Sequence, residues 1–434
     1  MLVDFTFENF KCYRDQQAFS MRRYNRSGYA PFDDVSTVTA IYGANASGKS
    51  SLLEAMTYAA RFAVNGYRRG SSGEGIARLP FLLDSEYATR PSTFYFELIA
   101  SDERRYKYWF SIDDKQVLSE DLVVYRSSRP STLFSRWVGD DGSYTNEHGQ
   151  SIEFGPSFTG PKKQLWSITR ENALFLSAAA AGGSKVIEPV YRELGKVSIY
   201  KARFYEREMP RVKRELEGGS QDAGALRSLI KFADLGIDDI GLVERKTGVD
   251  EENDIADGGD ASIAQEGGKR PTDIVFLHEG KDARAMFPTG YESDGTVGAL
   301  SFFSVALRSL RSGGIALVDE IDSSLHPTLV KELVLAFADR ESNPNAAQLI
   351  FTTHDVSLID VSGSEDRVLD RDQIWFASKS DGASEIFPAT EFHVRRGENV
   401  GRNYLNDVYG ALPDPRLHDV FLEFAGGCHD GKED

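Results

Sequence analysis

The segment Gly43-Ala-Asn-Ala-Ser-Gly-Lys-Ser50 constrains this chain more than any other stretch, because it matches G-x-x-x-x-G-K-[ST] in the right setting. Before it, Val35-Ser-Thr-Val-Thr-Ala-Ile-Tyr42 is rich in β-branched residues and reads as a strand. After it, Ser51-Leu-Leu-Glu-Ala-Met-Thr-Tyr-Ala-Ala-Arg-Phe62 carries the apolar stripe of a helix. Gly43 and Gly48 let the backbone curl so that its N–H groups point inward, and the helix N-terminus adds a partial positive charge. The expected nucleotide-binding set is Gly43, Ala44, Asn45, Ala46, Ser47, Gly48, Lys49, Ser50 and Ser51. Lys49 would reach the β- and γ-phosphates, and Ser50 would hold Mg²⁺. A plain glycine-rich turn is the competing reading, and the flanking strand and helix argue against it.

Composition narrows the setting. The 434 residues suffice for two or three domains or one elaborated domain. The two cysteines, Cys12 and Cys428, stand far apart, so no disulfide framework or C-x-x-C metal site is expected and a reducing cytoplasm fits. The first residues carry acids where a signal peptide would carry bases, and no apolar run approaches the ~20 residues that span a bilayer. No membrane association is expected. The net charge of −17 argues against coating nucleic acid by bulk electrostatics. Local basic patches remain as candidates for DNA: Arg22, Arg23 and Arg26; Arg68 and Arg69; Arg104, Arg105 and Lys107; and the stretch from Lys201 to Arg214. Each reads more simply as a solvated face.

Along the chain, residues 1–64 read as strands, the phosphate loop and its helix, and 65–170 as a β-rich lobe with strands at 92–100, 105–112 and 117–126, continuing at 133–138 and 151–154. Residues 171–285 read as a helical insertion with a mobile acidic loop at 249–271, in which Leu226, Leu229, Ile230 and Phe232 share one side of a helix. Residues 286–412 alternate strands and helices, which suggests a parallel sheet, and 413–434 form a tail.

The last third supplies the partner that a phosphate loop needs. Ile315-Ala-Leu-Val-Asp319-Glu320 is a buried-type strand with two carboxylates at its C-terminal edge, where ligand sites of open α/β sheets lie. Asp319 would bind Mg²⁺ through water, and Glu320 would polarise the attacking water as a general base. Thr352-Thr353-His354-Asp355 follows another apolar strand, and His354 could sense the γ-phosphate. Glu292-Ser293-Asp294-Gly295-Thr296 opens a helix, so Ser293 and Gly295 offer a second anion site able to close over a nucleotide held by another subunit; read alone, Ser293 is an N-cap. Asp322-Ser-Ser-Leu-His326-Pro327 follows, with Pro327 suited to a first helical turn.

In this order, GANASGKS, ESDGT, ALVDEIDSSLHP and FTTHD resemble ATP-binding cassette ATPases of the SMC, RecF and OLD type. The N-terminal string VDFTFENFKCYRD is similar to the first hairpin of that fold, and the resemblance places Lys11 near the nucleotide. It implies an α/β P-loop NTPase, an ABC/SMC-like head with an antiparallel β lobe and an inserted, mostly helical region. It also implies ATP and Mg²⁺ as ligands and a homodimer or higher homo-oligomer through the ATP site, with ESDGT as the signature. The end of the head, Arg371-Asp-Gln-Ile-Trp375 and Val394-Arg-Arg-Gly-Glu-Asn399, is similar to the RloA and AbiLi abortive-infection group, with AriA of the PARIS defence system more distant. The signature departs from the transporter form, no long coiled coil is present, and the glutamine loop has no evident match. Asp370-Arg-Asp372 reads as a turn, so no nuclease centre is expected in this chain, and an effector protein such as a Toprim-type nuclease or a toxin is the implied partner.

The leading expectation is therefore an ATP-hydrolysing sensor of an anti-phage system that controls a separate effector. The alternatives are a RecF-like DNA-repair or DNA-end-binding ATPase and a nucleotide-dependent structural subunit that hydrolyses slowly.

Overall fold

The computed structural model describes residues 1–23, 34–126, 129–219, 221–233, 235–244, 272–323, 325–360, 368–392, 399–412 and 417–426. Arg26, the acidic loop at 249–271, residues 394–398 at the end of the head and Cys428 lie outside the described residues. The chain divides into two compact units, Met1–Val197 with Ile350–Asp434, and Ser198–Leu349.

The first unit opens with the hairpin β1 (Leu2–Glu8) and β2 (Gln17–Ser20), then β3 (Val38–Gly43) and helix α1 (Lys49–Arg69). A short helix, α2 (Ser85–Thr89), precedes β4 (Ser92–Ile99), β5 (Arg105–Ile112), β6 (Val117–Tyr125), β7 (Pro130–Val138), β8 (Tyr144–Thr145) and β9 (Gln150–Phe154). They form an eight-stranded sheet ordered β2-β1-β4-β5-β6-β7-β9-β8, whose pairings are all antiparallel. Alternation sets the register: Phe5 and Phe7, Phe94 and Phe96, and Tyr108 and Phe110 are buried from strand to strand. Helix α1 covers this face, with the Tyr58 ring 5.6 Å from Phe94 and the Phe62 ring 5.9 Å from Phe110. It runs to Arg69, beyond residue 64, and Arg170 engages its last turn by donating to Tyr67 O at 2.6 Å and lying over the Tyr67 ring. Helices α3 (Lys162–Ser167), α4 (Phe175–Ala181) and α5 (Glu188–Gly195) follow the sheet.

The second unit takes in β10 (Val197–Lys201), helices α6 (Met209–Glu217) and α7 (Gln221–Phe232), and strands β11 (Asp239–Glu244), β12 (Thr272–Glu279) and β13 (Arg284–Pro288). Helix α8 (Asp294–Ser312), β14 (Ile315–Asp319) and α9 (Pro327–Ala338) complete it. The stretch expected to be mostly helical thus also carries an antiparallel sheet, β11-β12-β13. On α7, Leu226 and Ile230 are buried as expected, but Phe232 is exposed, because the buried stripe runs Ala223, Leu226, Ile230 and Ala233 and position 232 falls on another side of the helix. Strand β10 lies beside β14, and β15 (Gln348–Thr352) follows α9 in the chain.

Residues Ile350–Thr352 of β15 return the chain to the first unit, where the order is β15-β3-β16-β17, with β16 (Ile374–Ser380) and β17 (Ala383–Pro388). Strand β16 runs parallel to β3, and β17 antiparallel to β16. Asp370 and Gln373 form a reciprocal capping box around the turn Arg371–Gln373. Helices α10 (Val400–Leu405) and α11 (Leu417–Gly426) close the chain. Among the described residues, no helix is long and apolar enough to cross a membrane.

Candidate functional site

Strand β3 is buried along its whole length, so it delivers the loop at a fixed point of the sheet edge. The loop then curls through three left-handed positions, Gly43 (φ 151°), Ala46 (φ 62°) and Gly48 (φ 114°). Asn45 and Ala46 form its exposed tip, Ala44, Ser50 and Ser51 are half-buried, and Ser47, Gly48 and Lys49 are buried. The Lys49 ammonium folds back into the curl and donates to the carbonyls of Gly43 and Ala44, both at 2.8 Å. Helix α1 starts at Lys49, with Leu52 N–H bonded to Gly48 O at 3.0 Å, so the helix dipole points into the same curl.

Several residues hold this loop that the sequence did not single out. The Tyr13 hydroxyl donates to Gly48 O at 3.1 Å, and burial lifts its phenol well above the ordinary range. The Tyr404 ring packs edge-on to Tyr42 at 5.6 Å; burial raises its phenol too, and a hydrogen bond from the Gly43 backbone opposes that shift. A Cβ at Gly43 would lie 2.3 Å from Ala377 O, and one at Gly48 would lie 2.8 Å from the Tyr13 hydroxyl and 2.9 Å from Ser384 Cβ. Gly43→Ala is therefore expected to lose about 1–2 kcal/mol from left-handed strain alone, with the clash against Ala377 added. Nucleotide binding should be lost with it; urea unfolding and titration with a fluorescent ATP analogue would check both. No local pattern marks Tyr13, Ala377, Ser384 or Tyr404, since only the assembled sheet brings them to the loop.

Lys11 sits in a left-handed turn (φ 52°) and its ammonium pairs with Glu54 of α1. It therefore lies against the helix that the loop opens, about one-third exposed, engaged by a carboxylate. His354 is exposed two residues past β15. Its segment is tied to β3, because Thr353 N–H bonds Ile41 O at 3.2 Å and the Tyr42 hydroxyl donates to Asp355 O at 2.9 Å. The structure thus brings His354 and the phosphate loop to one edge of the first unit's sheet.

In the second unit, β14 buries Ile315–Val318 and ends on Asp319, which is 5% exposed. The Lys201 ammonium stands 3.9 Å from the Asp319 carboxylate. Glu320 is exposed and left-handed (φ 57°), a conformation that costs a non-glycine residue about 1–2 kcal/mol. The strand ends at Asp319, and Glu320 just beyond it is exposed where Asp319 is buried. Ser293 is the N-cap of α8: its hydroxyl accepts from Thr296 N–H at 3.1 Å. Gly295 is half-buried in the first turn. The motif is braced from two sides, by His278 Nε2 to Glu292 Oε1 at 2.7 Å and by the Tyr205 hydroxyl donating to Asp294 at 2.6 Å. His326, Nδ1 facing Thr328 N–H at 3.3 Å, caps α9 ahead of Pro327 at its start.

The basic patches are mostly spent on neighbours. Arg22 pairs with Asp4 and Glu97 at 2.8 Å each, and Arg105 and Lys107 face Glu97 at 3.3 and 3.8 Å. Arg203 and Arg207 differ: both guanidinium groups stack on Phe204, at 4.9 and 4.4 Å from its ring, and that ring is 40% exposed.

Strand, glycine loop and helix define an α/β P-loop protein of the ATP-binding class. The family model described as "AAA domain, putative AbiEii toxin, Type IV TA system" matches residues 38–360, and the chain belongs to this family. Among solved structures, it is similar to the recombination mediator protein RecF of the RecFOR pathway with ATP, at 14% identity over 89% of this chain and 99% of that one, TM-score 0.36. It is similar also to the Smc head domain with a coiled coil and joint derived from Pyrococcus yayanosii, at 11% identity over 90% of this chain and 98% of that one, TM-score 0.41. No curated protein matches its sequence.

Proposed function

We propose that this chain is an ABC/SMC-like ATPase that hydrolyses ATP as the sensor subunit of a bacterial abortive-infection system, acting on a separate nuclease or toxin. The observation that carries the proposal is the Lys49 ammonium held inside a glycine curl at the N-terminus of α1, with Gly43 packed on Ala377 and Gly48 on Tyr13 and Ser384 too closely for a Cβ. The toxin and Type IV TA wording of the family description supports the defence setting.

In this reading the loop N–H groups and Lys49 bind the β- and γ-phosphates, and Ser50 and Asp319 are the oxygen donors for Mg²⁺. That donor set fits a hard cation that keeps most of its water: among the described residues no group of three or more His, Cys, Asp or Glu forms a cage. When bound, Mg²⁺ supplies charge neutralisation to the phosphate oxygens. Glu320 takes the proton of the attacking water, and His354 hydrogen-bonds near the γ-phosphate. Ser293 and Gly295 complete the site of a second copy.

ATP turnover by the wild type and by Lys49→Ala, with and without DNA, tests this. Lys49→Ala should bind nucleotide roughly a hundredfold more weakly, as expected for lost hydrogen bonds to a charged group. Light scattering with ATP should report a dimer or larger assembly, and a particle that stays monomeric would remove the role given to Ser293. A second reading, a RecF-like DNA-end-binding ATPase, is favoured by the Arg203–Phe204–Arg207 stack, since exposed aromatics and arginines hold unpaired bases. Many-fold stimulation by DNA alone, lost in Phe204→Ala and steeply salt-dependent, would favour that reading over the sensor.

A further inference from the structure

Lys201 is the last residue of β10 and Asp319 the last of the neighbouring strand β14, so their side chains meet where two strands end in the second unit. Both are largely withdrawn from water, with 14% and 6% of their side chains exposed, and Lys201 Nζ stands 3.9 Å from Asp319 Oδ2. That separation is longer than a hydrogen bond, so the contact is Coulombic, and burial shields it from salt. The strand that carries the lysine is pinned: the Tyr200 hydroxyl donates to Gly298 O of α8 at 2.9 Å, and the Ser198 hydroxyl to Ile315 O of β14 at 3.4 Å. A buried ammonium held at this distance already offsets the carboxylate's charge. It opposes a bare divalent cation arriving at Asp319. The same ammonium is compatible with a cation that arrives carrying anionic phosphate oxygens, because those oxygens attract both positive charges.

We propose that Lys201 is a positioning residue for Asp319 that makes the site discriminate the divalent cation–triphosphate complex from the free divalent cation. The proposal rests on the reading of Asp319 as a magnesium-binding carboxylate. Nothing in the acidic motif calls for a lysine from a distant part of the sequence, and the sequence placed Lys201 only at the border of a basic stretch.

Mn²⁺ binding followed by electron paramagnetic resonance tests it, first with the metal alone and then with a non-hydrolysable ATP analogue. Lys201→Gln should bind Mn²⁺ alone roughly tenfold or more tightly than wild type, the expected repulsion of a unit charge on a divalent ion at about 5 Å even in water. That advantage should shrink when Mn²⁺ is offered with the analogue, and Lys201→Arg should behave as wild type. The ratio of the two affinities is the readout, because a purely structural lysine would lower the melting temperature without changing it. Lys201→Met is the second neutral variant should Lys201→Gln fail to fold. An unchanged ratio in the neutral variants, with Asp319→Asn having lost Mn²⁺ binding, overturns the proposal and leaves Asp319 as the metal carboxylate. Asp319→Asn that binds Mn²⁺ as well as wild type overturns both.

Discussion

Glu320→Gln is expected to lower ATP turnover about 10²–10⁴-fold, the usual contribution of a positioned general base, while ATP still binds. The amide keeps the size and the hydrogen-bonding reach of the carboxylate but cannot take a proton from water. Position matters as much as chemistry. Strand β14 is buried to Asp319, and Glu320, left-handed just beyond it, is exposed. Two adjacent carboxylates are thereby given different surroundings, one nearly dry and beside Lys201, the other exposed. That division suits one for a metal and the other for a proton. Glutamine tolerates the same backbone about as well as glutamate, so the fold should survive. Phosphate release in single turnover, set beside equilibrium binding of a fluorescent ATP analogue, separates chemistry from binding. Turnover equal to wild type would remove Glu320 from the mechanism. Retained binding with blocked turnover should also accumulate the ATP-bound assembly, visible as a larger species in light scattering.

The parts of this architecture that were legible in the sequence are those fixed by local chemistry. GANASGKS needs its glycines where φ is positive, β14 needs an unbroken apolar run, and Ser293 caps α8 as serine at that spacing should. The meander β4–β6 declared itself through alternation and polar turns. What was not legible depends on contacts between distant segments. Strand β13 is exposed at all five residues, so it carries no alternating pattern and exists through its pairing with β12. Lys201 and Asp319 are brought together only by β10 lying beside β14. Likewise Tyr13, Ser384 and Tyr404 reach the phosphate loop through hairpins and helices whose docking no local window contains. The basic patches show the converse: Arg22, Arg105 and Lys107 read in sequence as solvated faces with an anionic partner as the alternative, and the sheet sets Glu97 among them.

Arg136→Met should destabilise the first unit by about 3–5 kcal/mol, the cost of leaving one member of a buried ion pair without its partner. Arg136 and Glu120 are both 0% exposed and 3.4 Å apart. Burial pulls the guanidinium down and pushes the carboxyl up, and each is opposed chiefly by the other's charge. The Glu120 carboxylate accepts from Phe175 N–H at 2.5 Å, Leu176 N–H at 2.9 Å and the Tyr108 hydroxyl at 2.9 Å. It is thus the anion at the N-terminus of α4, whose preceding residue Leu174 offers no side-chain cap. Arg136 donates in turn to Ala173 O at 2.6 Å and Gln150 Oε1 at 2.7 Å, and lies over the Trp166 ring at 5.3 Å. The pair therefore joins β6 and β7 of the sheet to the segment that carries α4, and it satisfies the Phe175 and Leu176 N–H groups and the Ala173 carbonyl. Replacing both members by apolar residues would spare the isolated charge but strand the α4 N–H groups and the Ala173 carbonyl, so the double variant Glu120→Leu/Arg136→Met should remain clearly less stable than wild type. Urea unfolding followed by tryptophan fluorescence and by circular dichroism measures both. A loss below about 1 kcal/mol for Arg136→Met, the value typical of an exposed pair, would mean that water reaches these charges and that the β lobe is held by its aromatic face alone.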